Sequence, residues 1–219
     1  TINACQKLQR VLNLSKYPKR MECYDISHIS GVDKVGSMVV FTDGEKDAAE
    51  YRRFKIKTVE GNNDFESLKE VLKRRLSKLG TDEEEKFPKP DLIIIDGGKG
   101  QLSSVKQIFD ELNVKDIDLV SLAKQEEEVF TLHSDRSVLI DKSDYALRLL
   151  QLGAASPALM LIAMIRDEAH RFAITFNRSL RGKRSLVSVL DGIDGVGKVK
   201  KKALLEKFKD LSGIMNAKK

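Results

Sequence analysis

The sequence predicts an α/β fold in which a mixed five-stranded sheet is flanked by helices and followed by a small all-α module. Three strand-like segments lie close together within residues 20–59, joined by links short enough for antiparallel pairing. Two further strand-like segments follow residue 90, each preceded by a helical segment, and helical crossovers call for parallel neighbours. Positive charge is concentrated at one end. Residues 178–219 hold 12 Lys+Arg against 4 Asp+Glu, whereas the remainder holds 27 against 29.

The start, TINACQKLQRVLNL, is an amphipathic helix without the features of a signal peptide. MECYDISHISG is the first strand, built on Met21, Cys23, Tyr24, Ile26 and Ile29 and closed by Ser30-Gly31. SMVVFT and YRRFKIKTV follow as strands, with a turn signal at Asp43-Gly44 between them. In NDFESLKEVLKRRLSKLG, Phe65, Leu68, Val71, Leu72, Leu76 and Leu79 recur at helical spacing. Asn63 or Asp64 is placed there as N-cap and Gly80 as the stop. TDEEEKFPKP is a charged loop closed by proline, and DLIIID reads as a strand buried on both faces. GQLSSVKQIFDEL is a helix, IDLVSLAK a strand, and EEEVFTLHSDRSVLI a small hairpin turning at Ser134-Asp135. A long helical stretch over about residues 144 to 176 closes the unit. Within it, YALRLLQ and PALMLIAM are near-duplicates. Strand order 3-2-1-4-5 puts the first and fourth strands side by side in the centre.

Composition excludes several classes. No apolar run approaches the ~20 residues of a membrane span, and PALMLIAMI ends at Arg166 and Asp167. Cys5 and Cys23 form no disulfide framework and no zinc spacing, so two reduced cytosolic thiols are expected. DGGKGQ has neither Walker A spacing nor the third glycine of a dinucleotide fingerprint.

The chemistry-bearing residues cluster in three places. Asp25 sits inside the first strand and Asp96 ends the fourth, so central neighbours bring both carboxylates to one end of the sheet. Two close anions repel, so one holds a proton or a cation lies between them. Oxygen ligands without thiolate fit Mg²⁺ or Mn²⁺. Gly97 and Gly98 leave Asp96 unobstructed and let a phosphodiester approach, with Lys99 placed to meet it. The plain alternative is a strand-to-helix turn with a capping Asp. His28 is three residues from Asp25, an odd offset that points it to the other face and makes it structural, or a support behind the metal ligands. His133 falls in the hairpin and is expected to be exposed, while Lys124 and Glu127 could border the site. In IRDEAHRFAI, Arg166 and His170 share a helix face, as do Asp167 and Arg171. A lone imidazole among apolar neighbours is usually a core histidine, but this one has acids and arginines around it.

LDGIDGVGKVKKKALLEKF, residues 190–208, places two helices about Gly195-Val196-Gly197, and the second opens with Lys198, Lys200 and Lys201. Free amides at such a helix start bind phosphate, and lysines add charge without reading sequence. The bland alternative is a basic helical tail.

Together, ECYDISHISG, YRRFKIK, DLIIIDGGKGQL, LAKQEEEVF, IRDEAHRFAI and the basic hairpin resemble the C-terminal half of the UvrC family, the nuclease subunit of bacterial nucleotide excision repair. The resemblance covers nearly the whole chain. It implies a ribonuclease H-like endonuclease domain over residues 1–180 and a helix-hairpin-helix DNA-binding module over residues 181–219, the first unit of a tandem pair. It implies a divalent-metal-dependent cut on the 5′ side of a lesion in the damaged strand. By motif, Asp25, Asp96 and His170 become the catalytic, metal-binding triad. The histidine comes from the resemblance, and whether it is a ligand or an acid–base group stays open. Lys99, Arg166 and Arg171 are phosphate-contact candidates, with Gly195, Gly197, Lys198, Lys200 and Lys201 in the hairpin. Implied partners are damaged double-stranded DNA and UvrB, with UvrA indirectly, for a monomer in the bacterial cytoplasm. The family's N-terminal nuclease, its UvrB-binding segment and its second hairpin are not in this sequence, so weak DNA binding is expected. Residues 152–164 are extra relative to the family pattern, and could lengthen the helix, add a turn at Gly153 and Pro157, or shift His170. The competing readings are a non-catalytic DNA-binding scaffold and a ribonuclease H-type nuclease that cuts RNA–DNA hybrids.

Overall fold

The computed structural model describes residues 1–29, 33–59, 61, 63–97, 99–123, 128–132, 156–193, 195–208, 213–214 and 216. The elements in chain order are α1 (Ile2–Leu12), β1 (Arg20–Ile29), β2 (Asp33–Thr42), β3 (Glu45–Lys46), β4 (Arg52–Lys55), α2 (Asp64–Leu76), β5 (Leu92–Asp96), α3 (Lys99–Glu111), β6 (Asp118–Ala123), β7 (Glu128–Leu132), α4 (Pro157–Asp191) and α5 (Lys198–Lys207). A 3-10 turn, Ala48–Glu50, links β3 to β4.

One seven-stranded mixed sheet runs β3-β2-β1-β5-β6-β7, with β4 also paired to β2. The meander β1-β2-β4 is antiparallel, while β1-β5 and β5-β6 are parallel. The expected five-strand order is present at its centre. It gains the two-residue β3, and β7 joins antiparallel to β6. The free edge of β6 offers unpaired N–H and C=O groups, and β7 satisfies them. The turn at Ser134-Asp135, His133 and residues 137–140 lie outside the described residues, as do Lys124, Glu127 and residues 144–155.

Two helical layers cover the sheet, and alternation along each strand sorts the core between them. Met21, Cys23, Val39, Phe41, Leu92 and Ile94 pack against α1 and α4. Tyr24, Met38, Val40, Ile93, Ile95 and Leu119 pack against α2 and α3. The run of β5 is apolar because both faces are covered, as a central strand requires.

Helix boundaries follow local chemistry. The Asn63 side chain accepts from the amide of Glu66 at 3.2 Å, capping α2. The helix ends at Leu76, short of Gly80, because its last turn tightens: Lys78 donates to Arg75 O and Leu79 to Leu76 O. The long helix starts at Pro157, with proline at the first turn where its missing N–H costs nothing. It runs beyond residue 176 to Asp191, and it is continuous through residues 180 and 181. Part of the extra segment is thus helix, and Ala158, Leu161 and Ile162 bury against the sheet.

Beneath the α2/α3 face lies a charged pair that apolar packing alone would not need. Glu22 and Arg75 are both 0% exposed, with Arg75 Nη2 donating to Glu22 Oε1 at 2.8 Å. Tyr24 donates to Glu22 Oε2 at 2.7 Å, and Arg75 also reaches Pro88 O at 2.7 Å. The pair ties the base of β1 to α2 and to the loop entering β5.

Glu22→Ala is expected to lower the unfolding free energy by about 3–5 kcal/mol, because Arg75 would remain as a buried unmatched cation. The double variant Glu22→Leu/Arg75→Met should recover most of that loss. Urea denaturation of both variants checks it.

Candidate active site

The register of the sheet builds the site. Tyr24 of β1 is opposite Ile95 of β5, so one step further along these parallel strands sets Asp25 beside Asp96. Cys23 and Ile94, two positions earlier on each strand, lie in the α1/α4 core. Side chains alternate with a period of two, so both carboxylates point to the face that α4 covers. Asp25 is 7% exposed.

The third member comes from α4. Ala169 and Ala173 are buried to 0% and 1% exposure, and their small side chains seat the helix close to the sheet. His170, next to Ala169, then reaches the rim, with Nδ1 3.7 Å from Asp25 Oδ2 and its side chain 53% exposed. One ligand atom from each of Asp25, Asp96 and His170 lies within 4.8 Å of the others. Ligands of an octahedral Mg²⁺ at about 2.1 Å are about 3 Å apart in cis and about 4 Å in trans. Two carboxylates and an imidazole at this spacing fit a hard divalent cation after small side-chain rotations. The exposed histidine side leaves an open approach for a phosphate and water.

Cys23 lies under the carboxylates and is fully buried. Burial, followed by the charges of Asp96 and Asp25, pushes its thiol well above the ordinary range. It stays protonated and supplies no nucleophile.

Glu168 is the residue that sequence spacing did not single out. Only 4% exposed, it accepts from Arg171 Nε at 2.9 Å, Lys46 Nζ at 2.8 Å and the Tyr51 hydroxyl at 3.1 Å. The Arg171 hydrogen bond first, then those of Lys46 and Tyr51, hold its carboxyl down at about 2 against burial. It sits two residues from His170, on the other flank of the helix, and fixes α4 to β3 and the start of β4. The one available signal was an acid flanked by the apolar positions of a helix, which looks the same on a solvated surface.

The other predicted residues divide. Arg166 and Arg171 are both held by carboxylates, Asp167 at 3.3 Å and Glu168. Lys99 opens α3 just after Asp96, and its side chain and Gly98 lie outside the described residues. The space expected to stay clear at Gly97 is filled by the chain itself. A Cβ there would fall 1.1 Å from Gln101 Oε1, so a larger residue would require the end of the Gln101 side chain to swing away. His28 is on the opposite face, as its offset requires, with Nε2 2.8 Å from Asp64 Oδ1. In the α4–α5 turn, Gly195 takes φ +84°, the left-handed region that glycine enters without strain. Gly197 caps α5. Lys198 and Lys200 are exposed, Lys200 Nζ reaches Gly195 O at 3.1 Å, and Lys201 is paired with Asp191. No described helix is long and apolar enough to cross a membrane.

Residues 9–174 match the protein family described as the UvrC RNAse H endonuclease domain. The UvrABC system protein C of Solibacter usitatus (strain Ellin6076) is 46% identical over 213 residues, covering 97% of this chain and 32% of that protein. The UvrABC system protein C of Clostridioides difficile (strain 630) is 44% identical over 217 residues, covering 99% and 33%. This chain therefore spans about a third of the length of these relatives. Among solved structures, human ENDOV aligns at 12% identity with a TM-score of 0.38, covering 77% of this chain and 96% of that chain.

Because the carboxyl of Glu168 is held at about 2 rather than its ordinary 4.5, its stabilisation is complete above pH 4.5 and is lost as pH falls toward 2. Glu168→Gln is expected to melt several degrees below wild type at neutral pH, with the gap closing over that acid window. Melting curves followed by circular dichroism across pH test this.

Proposed function

This chain belongs to the UvrC RNase H endonuclease domain family, and on that premise we propose that it is the metal-dependent domain that hydrolyses a phosphodiester of damaged DNA on the 5′ side of the lesion. The observation that carries the reading is the convergence of Asp25, Asp96 and His170, remote in sequence, within 4.8 Å of one another. Asp25 and Asp96 hold the cation, Mg²⁺ or Mn²⁺. Their pairing on adjacent parallel strands supports this, since two carboxylates side by side need a counter-charge. His170 Nδ1 faces Asp25, which favours a ligand role for that nitrogen. A bound cation would polarise the scissile phosphate and lower the pKa of its water. The protein's own part is to fix the three donors on two strands and a helix seated through Glu168, and to leave one side open to the substrate.

Damaged duplex DNA is the proposed substrate, delivered by UvrB as loading partner in the cytoplasm. Residues 181–219 are the proposed helix-hairpin-helix module, gripping the phosphate backbone through the amides at Gly195–Gly197 and through Lys198 and Lys200. Lys201, already paired with Asp191, contributes less.

Isothermal titration with Mn²⁺ should detect one site that depends on carboxylate, weakened about 100-fold or lost in Asp25→Ala and Asp96→Ala with the fold intact. Within a full-length UvrC protein, with UvrB supplied, Asp25→Ala should lower nicking of a lesion-containing plasmid by about 10³-fold or more, the scale of several kcal/mol of metal stabilisation. Equal nicking by wild type and Asp25→Ala would sink the assignment.

A further inference from the structure

The side of β2 that faces α4 carries a hydroxyl for which the fold itself has no use. Ser37 is directly opposite Asp25 in the antiparallel β1-β2 pair. Residues so placed share a face, with Cβ atoms about 4.5–5.5 Å apart. Val39 and Phe41 further along β2 pack in the α1/α4 cluster, while Met38 packs in the α2/α3 cluster. The alternation therefore puts Ser37 on the side of the triad. It is 0% exposed, and its Oγ has no hydrogen-bond partner. A buried hydroxyl left in that state costs free energy that an alanine methyl would not.

Sheet order gives the hydroxyl a direction. β1 lies between β5 and β2, so Asp25 has Asp96 on one flank and Ser37 on the other. His170 Nδ1 approaches Asp25 Oδ2 at 3.7 Å from the helix above. A cation shared by Asp25, Asp96 and His170 would hold an Asp25 oxygen on the β5 side. The other carboxylate oxygen is then the one within reach of β2. A serine hydroxyl turns among staggered positions about a single bond, enough to bring Oγ to that oxygen across such a Cβ separation. An ionised carboxylate accepts at about four lone-pair sites, so this bond adds to the contacts Asp25 already makes and displaces none of them. A hydroxyl donating to a carboxylate makes a charge-assisted bond, the stronger kind. Carboxylates that ligate metals are commonly oriented by such a bond from behind.

We propose that Ser37 is a positioning residue of the metal centre: its hydroxyl donates to the Asp25 carboxylate when a divalent cation is bound, and fixes the orientation in which that carboxylate meets the cation. This rests on the metal-dependent reading of the Asp25–Asp96–His170 cluster and deepens it by naming what holds one of its ligands in place.

The test uses the whole 219-residue chain and Mn²⁺ alone, without DNA. Metal-free Ser37→Ala is expected to melt at or slightly above the wild-type temperature, since the hydroxyl it removes is then unpartnered. Isothermal titration should find its Mn²⁺ affinity about 10-fold weaker, the lower end of what losing a supporting hydrogen bond costs a metal site. The rise in melting temperature on adding saturating Mn²⁺ should shrink to match, by the equivalent of about 1.4 kcal/mol for that factor of ten. Ser37→Thr keeps the hydroxyl and should bind Mn²⁺ close to wild type. A merely structural serine does the reverse: its loss lowers the metal-free melting temperature and leaves Mn²⁺ affinity alone. Wild-type Mn²⁺ affinity in Ser37→Ala overturns the proposal. So does a metal-free Ser37→Ala that melts well below wild type, or a folded Ser37→Thr that binds as weakly as Ser37→Ala. A wild-type chain that takes up no Mn²⁺ is a separate failure, which removes the metal-dependent reading and this proposal with it.

Discussion

The parallel pairing of β1 with β5 is the constraint on which everything else in this molecule depends. It is the junction where an antiparallel meander meets a crossover-linked half, and it lays two strand-borne carboxylates next to each other on one face. Like charges in adjacent positions of a sheet are destabilising. A cation between them, or a shared proton, would offset that repulsion at this buried, apolar-backed location. Burial first, and then both carboxylates, push the thiol of Cys23 directly below well above its ordinary range, so a further negative charge is disfavoured there. An imidazole, rather than a third acid, completing the cluster is consistent with the same limit.

The two faces of the sheet use buried polar groups differently. On the α2/α3 side, Glu22, Tyr24 and Arg75 form a network with both charges fully out of water, and Arg20 joins it by donating to Glu22 Oε1 at 3.1 Å. On the α4 side, Glu168 is buried but its cationic partners, Lys46 and Arg171, are 49% and 60% exposed. The first arrangement is costly to break and locks the base of β1. The second is softer, because a lost partner can return to solvent, and it sets the height and rotation of α4 over the sheet. Placement of His170 is therefore governed by an acid on the far flank of its own helix.

Much of this was legible in the chain. Short links followed by helical crossovers fixed the adjacency of the first and fourth strands, and a period of two placed His28 away from Asp25. What was not legible required knowledge of partners remote in sequence. Glu168 looks like a solvated helix acid until Lys46 and Tyr51 are brought beneath it. The space next to Gly97 looks like room for substrate until Gln101, a turn later, folds back into it. The C-terminal end of α4 lies at Asp191, beyond the expected residue 176, while residues 144–155 of the expected stretch lie outside the described residues.

The continuity of α4 from Pro157 to Asp191 makes it a screw thread as well as a wall. Each residue of an α-helix advances about 1.5 Å and turns about 100°. A single insertion between His170 and Gly192 would swing the lysines at the start of α5 around the axis relative to the carboxylates, with little change in distance. The near-duplicate segments fall on the other side, N-terminal to His170. Length added on that side would leave the angular phase between the metal cluster and the basic turn unaffected.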